Sequence, residues 1–160
     1  MLKFDDCAEL NNGVKIPWLG FGVFEVPEGE EVIQSVLWAL EAGYRSIDTA
    51  KIYRNEEGVG KAIKQSGIPR HELFITTKAW SNAPAYEATL RAFEESRRKL
   101  GLEYIDILFI HDCDVFTHGP EMQKVYYKQA MDGCYRALVE LGDESPVYQA
   151  VKEMMEKVLG

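Results

Sequence analysis

Asp48, Tyr53, Lys78 and His111 are the side chains of this sequence whose types could share one proton transfer. A phenol titrates near ~10 and donates a proton poorly at neutral pH unless its anion is stabilised. A neighbouring ammonium provides that stabilisation. Lys78 would stabilise the phenolate of Tyr53, Asp48 would hold Lys78 charged and in place, and His111 would hydrogen-bond a substrate oxygen. Such a set suits protonation of a carbonyl oxygen while hydride arrives from elsewhere. It contains no nucleophile and no metal-ligand geometry. Taken singly, Asp48 or Lys78 is more often a solvated strand end than a reacting group, so the elements that would assemble the four decide the matter.

Those elements alternate along the chain. Leu10-Asn11-Asn12-Gly13-Val14 places an Asn-Gly pair between short apolar stretches, which predicts a tight hairpin. The apolar run Trp18–Phe24 follows as a first strand. A helical pattern then sets Val32, Ile33, Val36, Leu37 and Leu40 on one face, with Gly43 at the C-cap. Tyr44–Asp48 predicts a second strand, and a helix from about Glu56 to Gln65 is ended by Ser66-Gly67 and Pro69. Leu73–Lys78 predicts a third strand, Tyr86–Leu100 a longer helix ended by Gly101, and Tyr104–Ile110 a fourth strand. Strands alternating with helices imply right-handed crossovers and a parallel sheet. Asp48, Lys78 and His111 then fall at the carboxyl ends of three strands and Tyr53 in a loop beyond one of them, the edge where parallel α/β folds build sites.

A fourth helix is expected over 125–141, with Tyr127, Met131, Cys134, Leu138 and Leu141 facing inward. Ser145-Pro146 reads as a further helix start, a capping residue followed by proline at the first helical position. Val147, Val151, Met154, Met155 and Val158 continue as an apolar stripe, and no fifth strand is evident.

The 160 residues, 46% of them hydrophobic, suit one domain. A net charge of -8, from 18 Lys+Arg against 26 Asp+Glu, argues against a nucleic-acid partner, which needs a concentrated basic face. No apolar run approaches the roughly 20 residues that span a bilayer, so a membrane is not expected and a cytoplasmic location is. Cys7, Cys113 and Cys134 are odd in number and irregularly spaced, which fits reduced thiols better than disulfides or zinc.

Several ordered motifs together resemble the aldo-keto reductase superfamily. They are Leu10–Pro17, Gly20-Phe21-Gly22, Gly43–Ala50, Tyr53, Asn55–Gly60, Thr76-Thr77-Lys78, and Tyr104-Ile105-Asp106 with Ile110-His111. The resemblance implies a fold, an α/β partial (β/α)8 TIM barrel: roughly the first four βα units after an N-terminal hairpin, closed by an extra C-terminal helix. It also implies one domain over 1–160, with a half-barrel at 1–141 and a divergent helix at 142–160. By the same resemblance Tyr53 is the general acid, Asp48 and Lys78 tune it, and His111 orients the carbonyl. Gly22, Val23, Phe24 and Asp48 match the segment and residue beside the nicotinamide, and Phe24, Trp80 and His111 match substrate-pocket positions. The implied cofactor is NADPH, or NADH in its place, and the implied substrate is a small aldehyde or ketone.

After His111 the family's usual Trp-Pro is replaced by Asp112-Cys113-Asp114. Val115–Gly119 and Met131–Leu138 look more like a sugar-dehydrogenase branch of the same superfamily. A full barrel typically takes ~250 residues and carries its phosphate site after strands seven and eight, so the expectation is weak dinucleotide binding and impaired activity. Open outer strands would favour a homo-oligomer. The alternative expectation is a catalytically inactive, truncated or recombined remnant that serves as a fold or interaction module.

Blander readings apply elsewhere. His111, Asp112, Cys113, Asp114 and His118 match no standard metal spacing. Gly58-Val59-Gly60 does not directly follow a strand, so close helix packing accounts for it better than a dinucleotide fingerprint. Met154 and Met155 at helical spacing face a core more often than a partner.

Overall fold

The computed structural model describes residues 3, 6–10, 13–80 and 86–111, with backbone alone at 80, 86, 87 and 110. The helices expected over 125–141 and after Pro146, and the loop that follows His111, lie outside the described residues. At the amino end, β1 (Cys7–Glu9) and β2 (Lys15–Pro17) form the antiparallel hairpin, with Ala8 opposite Ile16. Its turn closes through Leu10 N–H to Val14 O at 2.8 Å, and Gly13 takes φ 82, a region that glycine enters without steric cost.

The rest of the described chain alternates: β3 (Gly20–Gly22), α1 (Glu30–Glu41), β4 (Ser46–Asp48), α2 (Glu56–Ser66), β5 (Phe74–Trp80), α3 (Tyr86–Leu100) and β6 (Ile107–His111). Every strand pair from β3 to β6 is parallel, and the sheet order β3-β4-β5-β6 is the chain order. Three expected strands are shorter than their sequence signals: β4 begins at Ser46 rather than Tyr44, and β3 and β6 are also cut back. β3 stops at Gly22 because the chain then turns, with Glu25 at φ 60. β6 begins at Ile107 because Tyr104–Asp106 clamps it to the start of β5. There the Asp106 carboxylate accepts from Ile75 N–H at 2.7 Å and from Arg70 at 2.5 Å, while the Arg70 guanidinium lies 3.9 Å above the Tyr104 ring. That clamp sets the register of β6 on β5.

β5 also runs on past Lys78, which the sequence places at the strand's end. β6 pairs with it as far as Trp80 opposite His111, whereas β4 stops at Asp48 opposite Thr76. The carboxyl edge of the sheet is therefore stepped, and Lys78 sits on its inner step.

The core lies between the sheet and α1 and α2. Val32, Val36 and Leu40 recur at helical spacing and pack with Val59, Ile47 and Ile75, all within 3% of complete burial. Each such side chain stabilises the fold by about 1.5–3 kcal/mol relative to exposure. The Gly-x-Gly of α2 serves helix packing. A Cβ on Gly58 would meet Val32 Cγ1 of α1 at 2.3 Å, and one on Gly60 would lie 2.3 Å from the Leu100 carbonyl oxygen of α3. Gly60→Ala must therefore push two backbones apart. We expect it to destabilise by about 1–3 kcal/mol despite its better helix propensity, seen as a lower urea midpoint. An unchanged midpoint would show that the close approach is not needed.

Among the described residues, no helix is long and apolar enough to cross a membrane.

Candidate active site

Strand geometry brings the first two polar groups together. Asp48 is opposite Thr76, and Lys78 lies two residues further along β5, so Thr76 and Lys78 share a face. Thr76 Oγ1 donates to Asp48 Oδ1 at 2.6 Å, and Lys78 Nζ donates to Asp48 Oδ2 at 2.6 Å. The ammonium reaches two more acceptors, Thr49 O at 2.9 Å and Tyr53 Oη at 3.3 Å. Its three donors are thereby matched by three oxygens. The Lys78 side chain is 16% exposed and that of Asp48 37%, so the cation is the more desolvated partner and its orientation is tightly held.

Tyr53 is carried by a single 3₁₀ turn, Lys51–Tyr53, closed by Tyr53 N–H to Ala50 O at 2.9 Å. The next residue, Arg54, takes φ 59, which turns the chain back under the site. The Tyr53 ring meets His111 edge-on, with centroids 5.5 Å apart at 84°, and Phe24 at 5.1 Å and 56°. Asp48, Tyr53, Lys78 and His111 thus converge, with Phe24 beside them. Gly22 pairs with Asp48 across β3 and β4. Val23 reaches the site through its main chain only, because its side chain is fully buried in the core. Trp80 ends β5 opposite His111, and its side chain is not among those described.

Among the described residues, a Cβ built on Gly22 would meet nothing within 4 Å, and Phe24 is 65% exposed. Gly22 and Phe24 thus border the phenol, the ammonium and the imidazole on the β3 side. No group of three or more His, Cys, Asp or Glu among the described residues is arranged to hold a metal ion.

The turn bearing Tyr53 is also tied to α3. Lys51 Nζ lies 2.7 Å from Glu95, whose other oxygen is 2.9 Å from Lys99. Bonding to Lys51 first, then to Lys99, lowers the Glu95 carboxyl from its ordinary 4.5 to about 2. A depressed carboxyl stabilises the fold above its unfolded value and loses that contribution as pH falls through the folded one. Glu95 is 38% exposed, and exposed pairs are largely screened. Glu95→Gln should therefore cost only about 0.5 kcal/mol near neutrality, with the gap closing between pH 4.5 and about 2 and on adding salt. Urea midpoints measured across that range check it, and a gap that widens on acidification would contradict it.

Four residues that sequence reasoning did not single out help to build the site. Thr76 holds Asp48, and Thr49 holds Lys78 by its carbonyl and Asn55 by its hydroxyl at 2.9 Å. Asn55 reaches the loop after β3, while Glu56, 2% exposed, accepts from Thr77 Oγ1 at 2.8 Å on the helix side of β5. The available signal was period-two alternation in Thr76-Thr77-Lys78, which sends Thr76 to the Lys78 face and Thr77 away from it. Nothing local indicates where Asn55 points.

The sequence model of the Aldo/keto reductase family matches residues 18–157. A glyoxal reductase of Bacillus subtilis (strain 168) is 56% identical over 106 residues, which covers 66% of this chain and 38% of that protein. A 9,11-endoperoxide prostaglandin H2 reductase of Trypanosoma cruzi (strain CL Brener) is 55% identical over the same length, with the same coverage of each. A crystal structure of a Bombyx mori aldo-keto reductase in complex with NADP superposes with a TM-score of 0.67 at 35% identity, covering 86% of this chain and 47% of that one. The chain thus spans less than half the length of each.

Proposed function

The chain belongs to the aldo/keto reductase family, and from that premise we propose that its stepped sheet edge serves NADPH-dependent reduction of an aldehyde or ketone to an alcohol, with Tyr53 as general acid. The observation that supports this most is the Lys78 ammonium, set 2.6 Å from Asp48 and 3.3 Å from the Tyr53 hydroxyl. A cation held by a carboxylate against a phenol serves a proton donor whose anion must be stabilised. NADPH supplies the hydride when bound, and Gly22, Val23, Phe24 and Asp48 are the residues here that would flank its nicotinamide; NADH could take its place.

The chain's own residues perform the proton half of the reaction. Tyr53 Oη donates its proton to the carbonyl oxygen as that oxygen gains charge, which leaves a phenolate facing Lys78 Nζ. Asp48 and the Thr49 carbonyl keep the ammonium in position throughout, and solvent later returns the proton to Tyr53. His111 donates a hydrogen bond to the same oxygen, and with Phe24 and Trp80 it borders the substrate. Donors fixed before the reaction are worth more than donors that must reorient.

The experiment is aldehyde-dependent oxidation of NADPH by the purified chain beside its Tyr53→Phe variant. The name of the Bacillus relative makes a small dicarbonyl a sensible first substrate. A rate that requires aldehyde and is lost in the variant supports the reductase. Absence of such a rate at high cofactor overturns it in favour of a non-catalytic fold or interaction module.

A further inference from the structure

Asn55 occupies the N-cap position of α2, yet its side chain makes no capping bond. An asparagine there ordinarily accepts from a first-turn amide and stabilises the helix start. Here the side chain bonds elsewhere. Nδ2 donates to Val23 O at 2.8 Å and to Val26 O at 2.9 Å, and Oδ1 accepts from Thr49 Oγ1 at 2.9 Å. Asn55 and Thr49 are both fully buried, and the bonds to Val23 O and from Thr49 Oγ1 are buried with them, while the one to Val26 O is part-buried.

Each end of this bridge meets the site. The two carbonyls bracket Phe24 and Glu25, and Glu25 is held at φ 60. A non-glycine residue in that region is strained and persists only where its surroundings over-determine it. Two donors from one buried amide do so, and they hold Phe24 against the Tyr53 ring. At the other end Thr49 presents its carbonyl to Lys78 Nζ. Arg54, at φ 59 between Tyr53 and Asn55, is the bend that makes both contacts reachable.

We propose that Asn55 is a positioning residue that locks the 23–26 turn and the Thr49–Lys78 contact into one rigid unit, fixing the nicotinamide-side wall relative to the proton donor. The coupling itself rests on the observed bonds; its consequence for rate rests on the reductase reading above.

The test follows amide exchange at Val23 and Val26, whose N–H groups donate to Asp48 O and Val23 O, in the cofactor-free chain by NMR. Asn55→Ala is compared with Gly60→Ala, a destabilising change away from the site. We expect exchange at Val23 and Val26 to rise about tenfold in Asn55→Ala beyond that in Gly60→Ala, as loss of a buried bond predicts. Carbonyl-reduction kcat should fall by about tenfold or more in Asn55→Ala and hold in Gly60→Ala, because small misplacements at a reacting centre are costly. Equal acceleration in the two variants would make Asn55 an ordinary structural residue and overturn the proposal. Should Asn55→Ala not fold, Thr49→Val decides. It should leave exchange at Val26 unchanged and lower kcat severalfold, and a parental rate overturns the coupling. A parent without reductase activity sinks the reductase reading alone, since the exchange comparison still decides whether Asn55 couples the two segments.

Discussion

Tyr53→Phe is expected to lower carbonyl reduction by about 10²–10⁴-fold, the range for loss of a positioned general acid, while leaving the fold and NADPH affinity close to the parent's. The substitution removes one oxygen and nothing else. The ring keeps its contacts with Phe24 and His111, and Lys78 keeps Asp48 and Thr49 as acceptors. The loss therefore belongs to kcat, measured as NADPH oxidation at saturating aldehyde and cofactor. A variant that retained more than about a tenth of the parental rate would place the proton donor elsewhere.

Lys78→Met should bring a loss of similar order by a different route. The phenolate left by proton transfer would lose its cation, and the Thr49 carbonyl and one Asp48 oxygen would lose their donor. Because Asp48 is 37% exposed, water can solvate it again, so the cost in stability should stay near about 1 kcal/mol. Added to Tyr53→Phe, the change should be almost silent, since a residue that acts through another has nothing left to act on. Additive losses in that double-mutant cycle would mean that Lys78 serves some group other than Tyr53. Lys78→Arg should not rescue the rate, because a planar guanidinium cannot direct three bonds to three oxygens from one compact nitrogen.

Much of the fold was legible because it is written in local periodicities. Val32, Val36 and Leu40 recur every four residues and form the buried stripe of α1. Gly67 and Gly101, read as helix stops, take φ 67 and φ 66 just past α2 and α3. Strand limits were less legible, because they depend on partners rather than on the strand itself. The run Trp18–Phe24 looks uniform, yet only Gly20–Gly22 pairs with β4, and Val23 turns into a corner held by Asn55. Tyr104–Asp106 looks like strand and acts as a clamp because Arg70, distant in sequence, folds back onto it.

By itself the sequence determined the kinds of groups available, the alternation that makes a parallel sheet, and the ordered motifs that mark the family. Residue type and spacing carry these, and each is local. Tertiary structure alone decided how the four side chains are joined. The 3.3 Å from Lys78 to Tyr53 depends on a stepped sheet edge, on a turn that returns at Arg54, and on a buried asparagine that bridges residues 49 and 23. Such bonds link segments dozens of residues apart, and only the packed chain sets their distances.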